Sequence, residues 1–426
     1  MRILFLTGEF PPLQGGVGDC TNEIARALAQ RGVEVSVLTS DPSSVISNQS
    51  SVSNLQSPVS NLHIFRTIQK WNWSALAQIR KTISEIRPDI AHIQYQTGAF
   101  GMHPMINFLP RFLSPSLFRR GGRGVRSVVT FHDLLPAYLF PKAGPLRDWV
   151  TFQLARSADA VIATNEQDYQ TLGALNLKLL TLIPIGSNIA PTAPPPDFSR
   201  ANLRARLDVR DDETLLVYFG FLNASKGAET LIHALRDLPN AKLLFLGGQT
   251  GASDPTNVAY AEHVKEIIRD WRLENRVLWT DYLPAEQVSA HFYAADVCVL
   301  PYRDGASFRR GSFMAALAHG MPIITTNAES GTRKVESRER KAESQKWKAK
   351  SDGENGASAL PMLRDGENVL LVPPDDPAAI VAAVTRLQNA PDLQHRLGAN
   401  ARRTARAFSW DKIADEHIAL YEKMLR

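Results

Sequence analysis

The opening of the chain constrains its fold most tightly. RILFLT is a short apolar run, GEFPPLQGGVGD is a glycine- and proline-rich turn, and TNEIARALAQRG carries apolar residues at helical spacing and stops at Gly32. VEVSVLTS follows with the β-branched residues of a strand. Strand, turn, helix and strand within about forty residues begin a parallel sheet, since parallel neighbours need a crossover where antiparallel ones need only a hairpin. DIAHIQYQ, SVVTFHD and DAVIATN continue the series, each a buried strand with polar residues at its carboxyl end. In an open parallel sheet ligands bind at that end. Glu9, Tyr95, His132, Asp133 and Asn165 are therefore expected to face one crevice.

At 426 residues the chain is too long for one ordinary core. Proline is dense and periodicity is lost in IAPTAPPPDF, residues 189–198, the expected linker. A second series then starts over: TLLVYFG, the loop NASKG, the helix AETLIHALRDL, AKLLFLGG, RVLWTDYL, DVCVLPY and PIITT. The expected fold class is α/β with two such domains, 1–190 and 198–405. A final stretch, 406–426, ends in the amphipathic helix SWDKIADEHIALYEKML, with Ser409 as its expected N-cap. Two segments stand apart. Residues 42–61 are rich in Ser and Asn and read as a surface insertion; residues 329–358 mix both charges with almost no apolar content and read as a solvated loop.

Composition excludes several classes. With 44% hydrophobic and 21% charged residues the chain is not largely disordered, and no apolar run approaches the ~18–20 residues of a membrane span. The apolar start is too short for a secretion signal, and Cys20 and Cys298 lack metal or redox spacing, so a reducing cytoplasm is expected. A net charge of +5 permits anionic partners without implying nucleic acid.

Four motifs carry chemistry. Gly15, Gly16 and Gly18 lie between a strand and a helix, where backbone N–H groups can approach an anion; the same glycines also permit a tight turn. The spacing is not GxGxxG, which argues against a dinucleotide cofactor. His132 and Asp133 end an apolar strand, where a histidine either serves a substrate or is structural. Lys226 precedes a helix in a setting suited to phosphate, with Ser225 as the expected cap. In LPYRDGASFRRGSFMAALAHG, Asp304 ends a strand, and Arg309, Arg310, Gly311 and Ser312 open a helix. Guanidinium forks there match a diphosphate, or else form a surface pair. No aspartate pair suited to a metal is evident.

Together these segments resemble the large retaining glycosyltransferase family called group 1, or family four, with the two-domain GT-B fold. The resemblance is carried by EFPPLQGGVGDCTNEIARALAQRGVEVSVLT, VVTFHD, ADAVIATNEQD, LIPIGSNI, YFGFLNASKGAETLIHAL, DVCVLPYRDG, AALAHGMPIITT and DGENVLLVPPDDPAAI, and it covers nearly the whole chain apart from the two insertions. It implies two Rossmann-like domains facing across a cleft, with the last helix crossing back to the first. It also implies a nucleoside diphosphate sugar as donor, held mainly by the second domain, a saccharide or lipid-linked acceptor held by the first, retention of anomeric configuration, and neither metal nor cofactor. By position, Gly16 would lie against the donor diphosphate, His132 would touch the sugar, and Lys226 would neutralise the leaving group. Gly186, Ser187 and Asn188 stand at a family turn, Gly220 at the strand end, and Tyr282 and Leu283 where backbone meets the base.

Three positions depart from the family. Phe221 follows Gly220 where an arginine is usual, and Ser307 and Ala315 replace two glutamates. Either the site is degenerate, leaving a nucleotide-sugar-binding protein, or it is rebuilt, with Arg309 or Arg310 supplying the missing cation and Asp304 or Ser307 taking a sugar hydroxyl. Retention of Lys226, His132 and the glycine loop favours rebuilding. A nucleotide-sugar epimerase is the third alternative. Residues 100–126 place apolar residues beside Arg119, Arg120, Arg123 and Arg126, which suits either an anionic membrane surface, with the protein peripheral on its cytoplasmic face, or a crossover helix with a basic loop.

Overall fold

The structure, a computed structural model, describes residues 1–13, 15–42, 59–113, 125–134, 145–187, 189–248, 256–327 and 360–426. The expected insertion at 329–358, most of that at 42–61, and Arg119, Arg120, Arg123 and Asn188 lie outside the described residues. The chain forms two compact units, Met1–Gly186 with Trp410–Arg426, and Ser187–Ser409. The proline-rich stretch thus belongs to the second unit.

The first unit is built on seven parallel strands: β1 (Arg2–Leu6), β2 (Glu34–Ser40), β3 (Leu62–Ile68), β4 (Ile90–Tyr95), β5 (Arg126–Phe131), β6 (Ala160–Ala163) and β7 (Leu180–Leu182), in the order β3-β2-β1-β4-β5-β6-β7. Strand order reverses between β1 and β4, so the ligand crevice of this sheet lies where those strands end. Alternate side chains of β1 feed opposite cores, as a period of two requires. Leu4 and Leu6 join one with Ile79, Phe100 and Leu109; Ile3 and Phe5 join another with Ile24, Leu28, Ile413 and Tyr421. The last helix, Trp410–Leu425, thereby completes the first unit's core. At its rim Arg31 pairs with Asp411 at 3.0 Å and Asp415 at 2.7 Å.

The first helix spans Gly16–Gln30 and starts one turn earlier than its apolar periodicity predicts. Gly18 explains the difference. A Cβ there would come within 2.9 Å of the Glu9 backbone, so only glycine lets a helical turn pack this tightly on the loop.

The second unit holds six parallel strands: β8 (Thr214–Phe219), β9 (Ala241–Leu246), β10 (Val277–Trp279), β11 (Val297–Leu300), β12 (Ile323–Thr326) and β13 (Leu370–Val372), in the order β10-β9-β8-β11-β12-β13. Its reversal falls between β8 and β11. The loops after those strands carry Gly220, Lys226 and the RDGASFRRGS run, so topology alone gathers them.

Candidate functional site

In the second unit the residues after β8 and β11 form one cluster. Gly220 leaves β8 with φ +105°, a conformation that favours glycine, and a Cβ there would lie 3.3 Å from Lys226 Nζ and 3.4 Å from Ser312 Cβ. The half-buried Lys226 donates from Nζ to the Phe221 carbonyl at 2.9 Å. Burial and the nearby Arg310 guanidinium lower its pKa to about 8. The expected cap is corrected: the N-cap of the following helix, Ala228–Arg236, is Gly227 at φ +66° with no side-chain cap bond among the described residues. Ser225 lies instead in the 3₁₀ turn Ala224–Lys226, which Asn223 caps by accepting from the Ser225 N–H at 2.8 Å.

Arg310 is the N-cap residue of the helix Gly311–Ala318, and no side chain caps that helix. Its guanidinium lies 4.1 Å from the centre of the Tyr302 ring, and the Tyr302 and Ser312 hydroxyls are 2.8 Å apart. Asp304 engages Arg310 through Nη2 and stands 3.7 Å from Arg309. Arg310 Nε and Ser307 Oγ are buried without a hydrogen-bond partner among the described residues. Leaving such atoms unpaired costs roughly 1–3 kcal/mol each, which a ligand presenting both an acceptor and a donor would recover. The arginine side chains are 21% and 13% exposed for Arg309 and Arg310, so the pair is held against the protein and does not extend into solvent. A lysine ammonium, a fixed guanidinium and an uncapped helix start together suit an anion. Ala315 is wholly buried in the core of this unit.

The remaining residues expected in this unit lie elsewhere. Tyr282 is 69% exposed beyond β10, whereas Leu283 packs partly on the core. Ser187 donates to the Ile189 carbonyl at 2.7 Å within its own turn, and Gly186, in the first unit, is buried.

In the first unit the five residues expected at one crevice divide. His132 is half-buried after β5, with Nε2 2.8 Å from Gln94 Oε1. Burial and the neighbouring His417 lower its pKa to about 4, so it is neutral near pH 7. Asp133 accepts from Gln96 at 2.9 Å. Glu9 is half-buried, and its carboxylate lies against the Cα of Gly15, where a Cβ would fall 1.9 Å from Oε2. Burial and Asp19 raise the Glu9 pKa to about 7. Beside the helix start no described atom lies within 4 Å of a Cβ placed on Gly16. Tyr95 and Asn165 do not join the crevice. Tyr95 is buried on the opposite sheet face, its hydroxyl 2.8 Å from Asn107 and 3.1 Å from Thr97. Asn165 caps the helix Glu166–Gly173, accepting from the Asp168 N–H at 2.9 Å. Both side chains are spent on internal hydrogen bonds, a use that strand-end position alone does not reveal.

Tyr302 and Gln94 were not singled out from sequence. The signal for Gln94 was present: His92 and Gln94 on β4, and Thr130 and His132 beside β5, are polar residues spaced by two within apolar strands. Among the described residues no three His, Cys, Asp or Glu side chains converge as metal ligands, and no helix is long and apolar enough to cross a membrane.

Two parallel-sheet Rossmann-like domains, with an anion-suited cluster at the strand ends of the second, define the GT-B class. A family model described as glycosyl transferase 4-like domain matches residues 15–186, and one described as glycosyl transferases group 1 matches residues 213–346. The chain belongs to the group 1 glycosyltransferases. It is 27% identical over 287 residues to a D-inositol 3-phosphate glycosyltransferase of Kineococcus radiotolerans, a match covering 64% of this chain and 59% of that one. Among solved structures, sucrose-phosphate synthase of Thermosynechococcus elongatus aligns over 100% of this chain and 99% of its own, with TM-score 0.68 and 21% identity. Anabaena Alr3699/HepE in complex with UDP-glucose aligns over 99% and 100%, with TM-score 0.70 and 19% identity. At these identities the likeness shows the fold.

Proposed function

We propose that the protein transfers a hexosyl group from a nucleoside diphosphate sugar to an acceptor hydroxyl, with retention of anomeric configuration and without a metal ion. The observation that carries this reading is the second unit's cluster, in which Lys226 Nζ, the free Arg310 Nε–H and the uncapped start of Gly311–Ala318 share one strand-end corner. Breaking the anomeric bond builds charge on the leaving diphosphate. Cations fixed in advance stabilise that charge more in the transition state than in the ground state, which is the work a metal does in other enzymes. Arg310 thus takes the place of the arginine missing at Phe221, with Arg309 beside it. Ser307 and Asp304 stand in for the absent carboxylate toward the sugar, and backbone at Tyr282 and Leu283 contacts the base.

His132, neutral and half-buried, would serve the sugar from the first unit, and Gly16, unlike Gly15 with the Glu9 carboxylate against it, leaves open space beside the helix start for the diphosphate. The UDP-glucose bound by the Anabaena neighbour supports a uridine donor as the first to test. Glu9 and Asp133 would serve the acceptor, a saccharide or lipid-linked saccharide. A lipid-linked acceptor agrees with one surface of the first unit: Trp73, Leu146 and Trp149 are exposed, Trp73 and Trp149 both pack on Phe108, and Arg111 lies 5.7 Å over that ring. Aromatic and cationic side chains in such company suit the interface of an anionic membrane, and the protein would work on its cytoplasmic face.

The buried Ala315 and the serine at 307 favour a second reading, a binder of nucleotide sugars without transfer. Turnover of UDP, GDP and ADP sugars against saccharide and lipid-linked acceptors separates the two. Transfer with retention supports the enzyme. Tight donor binding with no transfer to any acceptor supports the binder.

A further inference from the structure

His132 stands at the end of a buried hydrogen-bonded chain that leads to the last helix. Its Nε2 is 2.8 Å from Gln94 Oε1; Gln94 Nε2 is 3.4 Å from His92 Nε2; and His92 Nδ1 is 2.6 Å from the Tyr421 hydroxyl. Thr130 Oγ1 adds a 2.7 Å contact to His92 Nε2. The chain follows from sheet geometry. β4 and β5 pair in parallel with Gln94 beside Thr130, so the alternate residues His92, Gln94, Thr130 and His132 share the sheet face that the last helix covers. Gln94 is 2% exposed and His92 is fully buried, so neither has water as an alternative partner.

Each link constrains the next, because a neutral imidazole has one donor and one acceptor nitrogen. With Gln94 Oε1 turned to His132, Nε2 must carry the proton and donate. The Gln94 amide then donates to His92 Nε2, and His92 Nδ1–H donates to Tyr421. His132 Nδ1 is left with a lone pair and makes no hydrogen bond among the described residues. That is the state in which it can accept from a sugar hydroxyl.

We propose that Gln94 is a positioning residue that fixes the Nε2–H tautomer and ring orientation of His132, with Tyr421 of the last helix anchoring the far end of the chain. The inference rests on the reading of His132 as a group that meets substrate, but its test does not. Magic-angle-spinning spectra of ¹⁵N-histidine-labelled full-length protein distinguish the two tautomers ring by ring, with the His132 signals identified from a His132→Ala sample. Wild type should show the Nε2–H form alone. Gln94→Leu should give a mixture of tautomers, and Gln94→Glu, whose carboxylate when ionised can only accept, should restore a proton on His132 Nε2 at alkaline pH. Tyr421→Phe, remote from His132 and well placed to keep the core, should shift the His92 signals first and broaden those of His132. In donor turnover Gln94→Leu should lower kcat at least tenfold with KM changed less than threefold, and Gln94→Glu should recover part of the loss. An unchanged His132 tautomer in both Gln94→Leu and Tyr421→Phe overturns the proposal, whatever turnover does. A changed tautomer with unchanged turnover keeps Gln94 as the positioning group and overturns instead the role given to His132.

Discussion

Lys226 holds a charge at a cost in stability, a cost that the proposed grip on the donor diphosphate would explain. Its ordinary pKa near 10.5 falls to about 8, because burial and Arg310 both disfavour the ammonium. The free enzyme therefore loses this charge as pH rises through about 8, and kcat/KM for the donor should fall on the alkaline side from there, well below the usual lysine range. The sign for folding is opposite. Below about pH 8 the folded protein holds a charge its surroundings resist, and that penalty fades as pH rises from about 8 toward 10.5. Lys226→Met should therefore raise the melting temperature at pH 7 while lowering turnover by roughly a hundredfold or more; a variant both less stable and fully active would contradict the assignment. The lysine was legible from sequence because it follows a strand and precedes a helix. Tyr302, which carries the Arg310 guanidinium on its ring, was not, since nothing in LPYRDG distinguishes a core tyrosine from a site tyrosine.

At the scale of elements, the last helix is held by packing and only trimmed by charge. Ile413, Leu420 and Tyr421 are buried, at roughly 1.5–3 kcal/mol each, a sum comparable with the ~5–15 kcal/mol that stabilises an ordinary domain. The Arg31 pairs with Asp411 and Asp415 lie at a solvent-exposed rim, where such pairs contribute about 0.2–1 kcal/mol. Urea unfolding should place Leu420→Ala about 2–5 kcal/mol below wild type and Arg31→Ala within about 1 kcal/mol of it. The helix also brings His417 toward His132 and His92, all three held below the ordinary histidine value by burial, with His132 and His417 near 4. The unfolded chain takes up protons near pH 6.5 that these rings refuse in the folded one, so their contribution should lower stability progressively as pH drops below about 6.5. His417→Leu should flatten that fall; an unchanged slope would mean another group causes it. The central strands were readable as apolar runs ending in polar residues. β3, β7 and β13 were not marked out as strands, because LHIFRTI carries mixed polarity and the other two are only three residues long. The start of the first helix was missed for a tertiary reason, the packing of Gly18 on the Glu9 backbone, which periodicity does not register.

For the whole molecule, two α/β units were foreseeable from the restart of the strand–helix series after the proline-rich stretch, whereas the return of the last helix to the first unit was implied only by the family resemblance. The contents of the crevices were less so, because strand-end position does not say whether a side chain is free or, like Tyr95 and Asn165, already bonded. The aromatic surface around Phe108 likewise joins Trp73, Phe108 and Trp149 from three distant places in the sequence. Sedimentation with anionic liposomes should weaken severalfold in Trp73→Ala/Trp149→Ala, and equal binding by the variant would remove the membrane from the account. The central claim is narrower: a guanidinium and an ammonium beside one helix start grip the donor diphosphate. Calorimetric titration of UDP into wild type, Arg310→Ala and Lys226→Met tests it most directly. Micromolar binding in wild type, weakened at least tenfold in each variant while both remain folded, is the predicted result; equal affinity in all three proteins would contradict it.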